Sequence, residues 1–161
     1  MPISNNTKLA GGAGGIAAAI ALAVPLIAQW EGHRNHVYRD IAGVLTVCNG
    51  HTGRDIVVNK VYTDDECNVL LADDIKSTVD GVLRVTPKIE DKTYILASVV
   101  SFSYNIGVSA YSHSSVARDF NAGNFAAGCK DMLKYVYAGG KYSRGLDNRR
   151  HAEYAICMKG V

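Results

Sequence analysis

The sequence predicts an α+β domain that is mostly helical, with one small antiparallel sheet near its start and an apolar helical segment ahead of both. Three observations carry this. From Leu9 to Trp30 there are 22 residues without a charge, and every acidic residue lies at or after Glu31. Short strand-like runs punctuated by glycine follow immediately, and from Thr63 onward the apolar residues recur at helical spacing. The 161 residues suffice for about one domain. Seventeen basic and 15 acidic residues leave a net charge of +2, too balanced for a chain whose main partner is nucleic acid.

The segment Leu9–Ala28 holds seven large aliphatic residues, eight alanines, four glycines and Pro25. Twenty residues can span a bilayer core as a helix. The aliphatics contribute only roughly −2 to −4 kcal/mol to insertion, and Gly and Pro weaken the helix, so insertion is marginal. Three readings stand: an uncleaved export and anchoring segment, a cleaved signal peptide, and a core helix of the domain. The first is favoured. Lys8 is a thin basic start, and Leu26-Ile27-Ala28 is a poor small-x-small cleavage site. The charge ahead of the segment directs its N-terminus to the cytoplasm and Glu31 onward to the far side. After release, Pro25 suits the first turn of a short helix ending at Glu31.

Cys48, Cys67, Cys129 and Cys157 all lie in the body. An even count beyond an export segment suggests disulfides in an oxidising compartment, and the spacings fit no tight zinc motif. Three pairings are possible. Cys48–Cys67 and Cys129–Cys157 are favoured because each joins sequence neighbours.

Within the body, Val37–Asp40 and Val44–Val47 read as strands around Gly43, with further hairpins near Asn49-Gly50 and between Thr52 and Tyr62. Thr63 and Glu66 form a capping box that opens a helix. Tyr94, Ala97, Val100 and Tyr104 share a helical face, and Gly107 ends that helix. A short helix covers Ser114–Asn121, and Asn124 caps another running toward Tyr137. Gly139-Gly140 breaks the chain before a last helix over Leu146–Met158.

Glu31 ends the apolar helix, Asp40 sits at the sheet edge and Thr46 lies on the next strand. Cleavage of a glycosidic bond needs such a set: a protonated carboxyl for the leaving oxygen, a second carboxylate for water or the oxocarbenium-like centre, and a hydroxyl to hold the water. Spacing alone favours the plainer reading, a helix-end Glu and a turn Asp. His33 and His36 lack a third metal ligand nearby, so neither metal nor cofactor is expected.

Trp30-Glu31-Gly32, followed by Tyr38-Arg39-Asp40-x-x-Gly43-x-x-Thr46-x-x-x-Gly50-His51-Thr52-Gly53, resembles the catalytic hairpin of phage-type lysozymes, glycoside hydrolase family 24. Ser101–Gly107 is similar to that family's central-helix motif. Gly145-Leu146-x-x-Arg149-Arg150-x-x-Glu153 is similar to its C-terminal motif. The uncharged start resembles the signal-anchor-release segment of secreted phage endolysins. Four body cysteines with none in the anchor resemble the lambdoid phage 21 type within that group.

The resemblance implies a lysozyme-like fold and a muramidase that cuts the β-1,4 bond between N-acetylmuramic acid and N-acetylglucosamine. It implies Glu31 as general acid, Asp40 as second carboxylate and Thr46 as the water-positioning hydroxyl. Tyr104 and Asn105 would line the sugar cleft, although Tyr104 also suits core packing. Arg149 or Arg150 would pair with Glu31 or brace its loop, a reading that stands level with a plain surface pair on one helix face, and His51 would hydrogen-bond within the hairpin. Residues 1–28 would be the signal-anchor-release segment and 29–161 the catalytic domain. The protein would be tethered to the host inner membrane through residues 9–28, facing the periplasm, inactive until released there as a monomer. The alternative is a membrane-tethered peptidoglycan-binding protein without hydrolytic activity.

Overall fold

The computed structural model describes residues 13–161. Residues 9–12 of the expected anchor, with Lys8, lie outside them. Among the described residues no helix is long and apolar enough to cross a membrane.

The first helix, α1, runs Ala13–Glu31 without interruption, so Pro25 lies inside it rather than opening a new one. Proline removes the donor that would bond the carbonyl four residues back. Here both Pro25 and Ala21 face outward, where water can serve that carbonyl. The inward face of α1 presents Ala19, Ala23, Leu26 and Ile27. Gly32, with φ +67°, turns the chain into β1, Arg34–Arg39, which pairs antiparallel with β2, Leu45–Cys48. At the end of β2, Val47 and His51 exchange both backbone hydrogen bonds and close a tight turn over Cys48–Gly50, near the expected second hairpin. The stretch to Tyr62 is loop, touching β1 through one bridge between His36 and Val61.

Helix α2 covers Asp64–Val85, and both halves of the Thr63–Glu66 capping box form. After a 3₁₀ turn, Pro87–Ile89, comes α3, Thr93–Ile106, buried without a break from Ile95 to Ser103 and ended by Gly107 at φ +90°. Next come α4, Val108–Ser112; α5, Ser115–Asn121; and α6, Phe125–Asp131, extended by a 3₁₀ turn at Met132–Lys134. Asn124 occupies the N-cap of α6, but its side chain makes no capping bond.

A second two-stranded sheet, β3 (Tyr137–Ala138) with β4 (Lys141–Tyr142), replaces the expected break at Gly139-Gly140. The one-sheet expectation is therefore corrected to two small sheets. Both glycines have positive φ, which a two-residue hairpin turn of this kind requires. The last helix, α7, spans Arg144–Met158, capped by Ser143.

The core gathers around α3, which packs against α1, α2 and α7. A smaller cluster of Val47, Cys48, Tyr62 and Cys67 holds the hairpin to α2. The favoured disulfides are present. Cys48–Cys67 joins the end of β2 to α2, and Cys129–Cys157 joins α6 to α7.

Candidate active site

Glu31 is the last residue of α1, so its carboxyl stands where the apolar helix meets the hairpin and α7. Its side chain is 20% exposed, and Oε1 accepts a hydrogen bond from an Nη of Arg149. Across from it is Gly50, at φ +81°, where a Cβ would come within 3.2 Å of Glu31 Oε2. The backbone angle favours glycine there, and an added Cβ would crowd the acid, so that Glu31 would have to give by a few tenths of an ångström. On one side opens a cavity of about 250 Å³ lined by Trp30, Glu31, Asn105, Ser143, Leu146 and Arg149. A second, of about 240 Å³, lies beyond Gly50 and includes Tyr104, Asp74 and Thr52. Glu31 stands between the two.

Asp40 and Thr46 sit on the hairpin. Asp40 follows β1, and its Oδ1 accepts from the amides of Ala42 and Val44, both at 2.9 Å. These bonds fix the carboxylate at the turn and leave Oδ2 without a protein donor among the described residues. Arg39 donates to the Gly43 carbonyl at 2.8 Å and braces the same turn. Thr46 is buried opposite Tyr38, and its hydroxyl donates to the Val44 carbonyl at 3.0 Å. No hydrogen bond joins Asp40 or Thr46 to Glu31 among the described residues.

Tyr104 and Asn105 fall on different sides of the acid. The Tyr104 hydroxyl donates to the Asn49 carbonyl at 2.9 Å, tying α3 to the hairpin turn. Burial pushes its phenol well above the usual range, and the charges of Asp74 and Glu31 add to this. Asn105 lines the cavity at Glu31, but its Oδ1 already accepts from Arg150 at 3.0 Å. Of the two arginines left open by sequence, Arg149 pairs with Glu31, whereas Arg150 pairs with Glu153 and Asn105.

His51 shares its backbone with the turn, but its ring reaches outside it. One nitrogen stands 2.7 Å from Asp74 of α2 and the other 3.0 Å from Asp55. Burial alone would lower the His51 value, but the hydrogen bonds and charges of Asp74 and Asp55 outweigh it and raise the value. Burial raises Asp74, partly offset by His51, while the His51 hydrogen bond lowers Asp55. Asp74 carries no sequence signal, because its partner arrives across the fold. His33 bonds to Asp64 and Asn49, and among the described residues no three ligand side chains converge as a metal would require. Glu153 was legible only as part of a motif; its spacing of four and three from Arg149 and Arg150 does signal one helix face.

Comparison with known proteins adds an independent line. Residues 28–153 match the family model described as phage lysozyme. The SAR-endolysin of Enterobacteria phage P21 is 37% identical over 99% of each chain. An endolysin structure from Escherichia coli O157:H7 phage FAHEc1 superposes with a TM-score of 0.75 at 27% identity, covering 87% of this chain and 92% of that one. The active form of the P1 phage endolysin Lyz gives 0.76 at 21% identity over 92% and 93% of the chains, a likeness of fold.

Proposed function

This chain belongs to the phage lysozyme family, and from that premise we propose that Glu31 protonates the leaving glycosidic oxygen while Asp40 and Thr46 manage the attacking water. The protein is a lysozyme-type glycoside hydrolase, an endolysin, and its substrate is peptidoglycan. The observation that carries the residue assignment is the place of Glu31, a part-buried carboxyl between two cavities with a guanidinium on one oxygen and a glycine against the other. As the bond from sugar carbon to oxygen breaks, the proton passes from Glu31 to that oxygen. Arg149 then faces the carboxylate that remains. Asp40, already oriented by two amides, has Oδ2 available to take a proton from water. Thr46 spends its hydroxyl proton on Val44, which leaves its oxygen to accept a hydrogen bond from that water.

Residues 1–28 serve as the signal-anchor-release segment and 29–161 as the catalytic domain. While residues 9–28 sit in the host inner membrane, Glu31 is held away from its site. Release into the periplasm lets α1 dock, and the active species is a monomer. Support comes from the 22 uncharged residues, from the SAR-endolysin name of the P21 relative, and from the two alanines, Ala19 and Ala23, among the four residues that α1 buries.

Glu31→Gln keeps the size of the side chain and an acceptor for Arg149 but has no proton to give. Clearing of chloroform-treated Gram-negative cells by the purified variant is expected to fall by about 10²–10⁴-fold, with the thermal midpoint within a few degrees of wild type. Near wild-type clearing contradicts the assignment.

A further inference from the structure

Helix α7 buries a charge cluster that the assignment of Glu31 leaves unused. Arg149, Arg150 and Glu153 are all inside the core. Glu153 Oε1 accepts from Ser101 Oγ at 2.7 Å, from Arg149 Nε at 3.0 Å and from Arg150 at 3.2 Å. Its Oε2 stands 2.8 Å from Arg150 Nε, an ion pair without the alignment of a hydrogen bond. Burial pushes the Glu153 carboxyl up, and the charges of Arg150 and Arg149 and the bond from Ser101 pull it back.

Arg149 divides its donors among three acceptors: Nε to Glu153, one Nη to the Ser101 carbonyl at 3.0 Å, the other Nη to Glu31. A guanidinium is a rigid planar fork, so fixing two of its nitrogens aims the third. Arg150 is held behind it, 4.9 Å over the Phe102 ring and bonded to Asn105. The groups that face Glu31 are Arg149 from α7, with Arg150 and Glu153 behind it; Tyr104 from α3, with Asp74 of α2 beyond; and the backbone at Gly50.

We propose that Glu153 is a positioning residue for the acid: it aims Arg149 at Glu31 and cancels one of the two guanidinium charges on that side of the site. The inference rests on the reading of Glu31 as the proton donor. A donor must hold its proton near the working pH. Guanidinium groups do not lose theirs, so without Glu153 two uncompensated cations would favour the ionised carboxylate. With Glu153 in place, protonated Glu31 leaves this group of four side chains at a net charge of +1, and proton transfer to substrate brings it to zero.

Two readouts on Glu153→Gln test this, the alkaline limb of kcat/KM against pH and the carbon-13 NMR titration of the Glu31 carboxyl. Both are expected to move to lower pH by about one unit, the low end for a nearby opposite charge. The double variant Glu153→Gln, Arg150→Gln removes the unmatched cation and is expected to bring both back toward wild type. A purely structural role moves neither readout in this paired way. An unmoved Glu31 titration in Glu153→Gln overturns the proposal, as does a double variant that stays with the single. If Glu153→Gln does not fold, Arg150→Gln alone is expected to move the titration to higher pH, and no movement there overturns the proposal. A titration that moves while the activity limb stays put supports the coupling and removes Glu31 from the donor role.

Discussion

Two apolar helices lie against each other in this molecule and are held by different means. Helix α3 is enclosed by α1, α2 and α7 and buries nine consecutive residues. Helix α1 buries Ala19, Ala23, Leu26 and Ile27 and leaves Ala17, Ala18, Ala21, Leu22 and Pro25 outside. A buried Leu or Ile contributes about 1.5–3 kcal/mol and an alanine far less, so α1, with Leu26 and Ile27 buried and Ile16, Ile20 and Val24 half-buried against the core, is held less strongly than α3, whose removal would dismantle the core. The acid sits on the weaker of the two. Its partners do not: Arg149 is braced by α3 through Ser101, and the turn bearing Gly50 is tied to α3 through Tyr104 and Asn49. The site is thus assembled when a modestly held helix end meets a firmly held frame.

Breaking the frame should have the largest effect. Phe102 is fully buried on α3, edge-on to Tyr111 and Tyr135 and beneath Arg150. Phe102→Ala is expected to cost about 3–5 kcal/mol, measured by denaturant unfolding, and to take activity with it.

A change at the α1 interface should act less on folding and more on partition. Ala23 is fully buried, and Ala23→Leu is expected to cost about 1–3 kcal/mol through overpacking. The added leucine also favours the bilayer by a few tenths of a kcal/mol. Both terms lower the released fraction, which fractionation of expressing cells will show as more membrane-bound protein. Ala21→Leu, on the exposed face, carries only the bilayer term and should change partition little and unfolding hardly at all.

The smallest effect concerns the hairpin side of the frame, where His51 bridges to Asp74 and Asp55. Its value is raised above 6.5 in the fold. Its contribution to stability is therefore fully present below that pH and is lost as pH rises through the folded value. Asp74, raised by burial, trims the gain where it is ionised. The thermal midpoint of His51→Asn should fall further below wild type at about pH 5.5 than at about pH 8.5. Equal losses at both would show that the imidazolium form contributes nothing.

Much of the frame was legible in the sequence because its signals are local. The Thr63–Glu66 capping box and the stop at Gly107 are local signals, and the disulfide pairs, 19 and 28 residues apart, were legible only because each joins cysteines that follow one another along the chain. The β3–β4 hairpin was not, since two residues per strand show no alternation and a Gly-Gly pair also fits a break. Pro25 misled for a physical reason: the cost of an internal proline is small where the orphaned carbonyl faces water. In the site, Glu31 paired with Arg149 was one of two readings left open. The links from His51 to Asp74 and from Asn105 to Arg150 join residues 23 and 45 apart, and no periodicity connects them.

Native-state hydrogen exchange on the released, soluble protein tests the contrast between the helices most directly. Amides of α1 over Ala19–Leu26 are expected to exchange through an opening of lower free energy than amides of α3 over Val99–Ser103, which should require global unfolding. If both helices exchange only with global unfolding, at the same free energy, α1 is as firmly held as the core, and an acid delivered by its docking is contradicted.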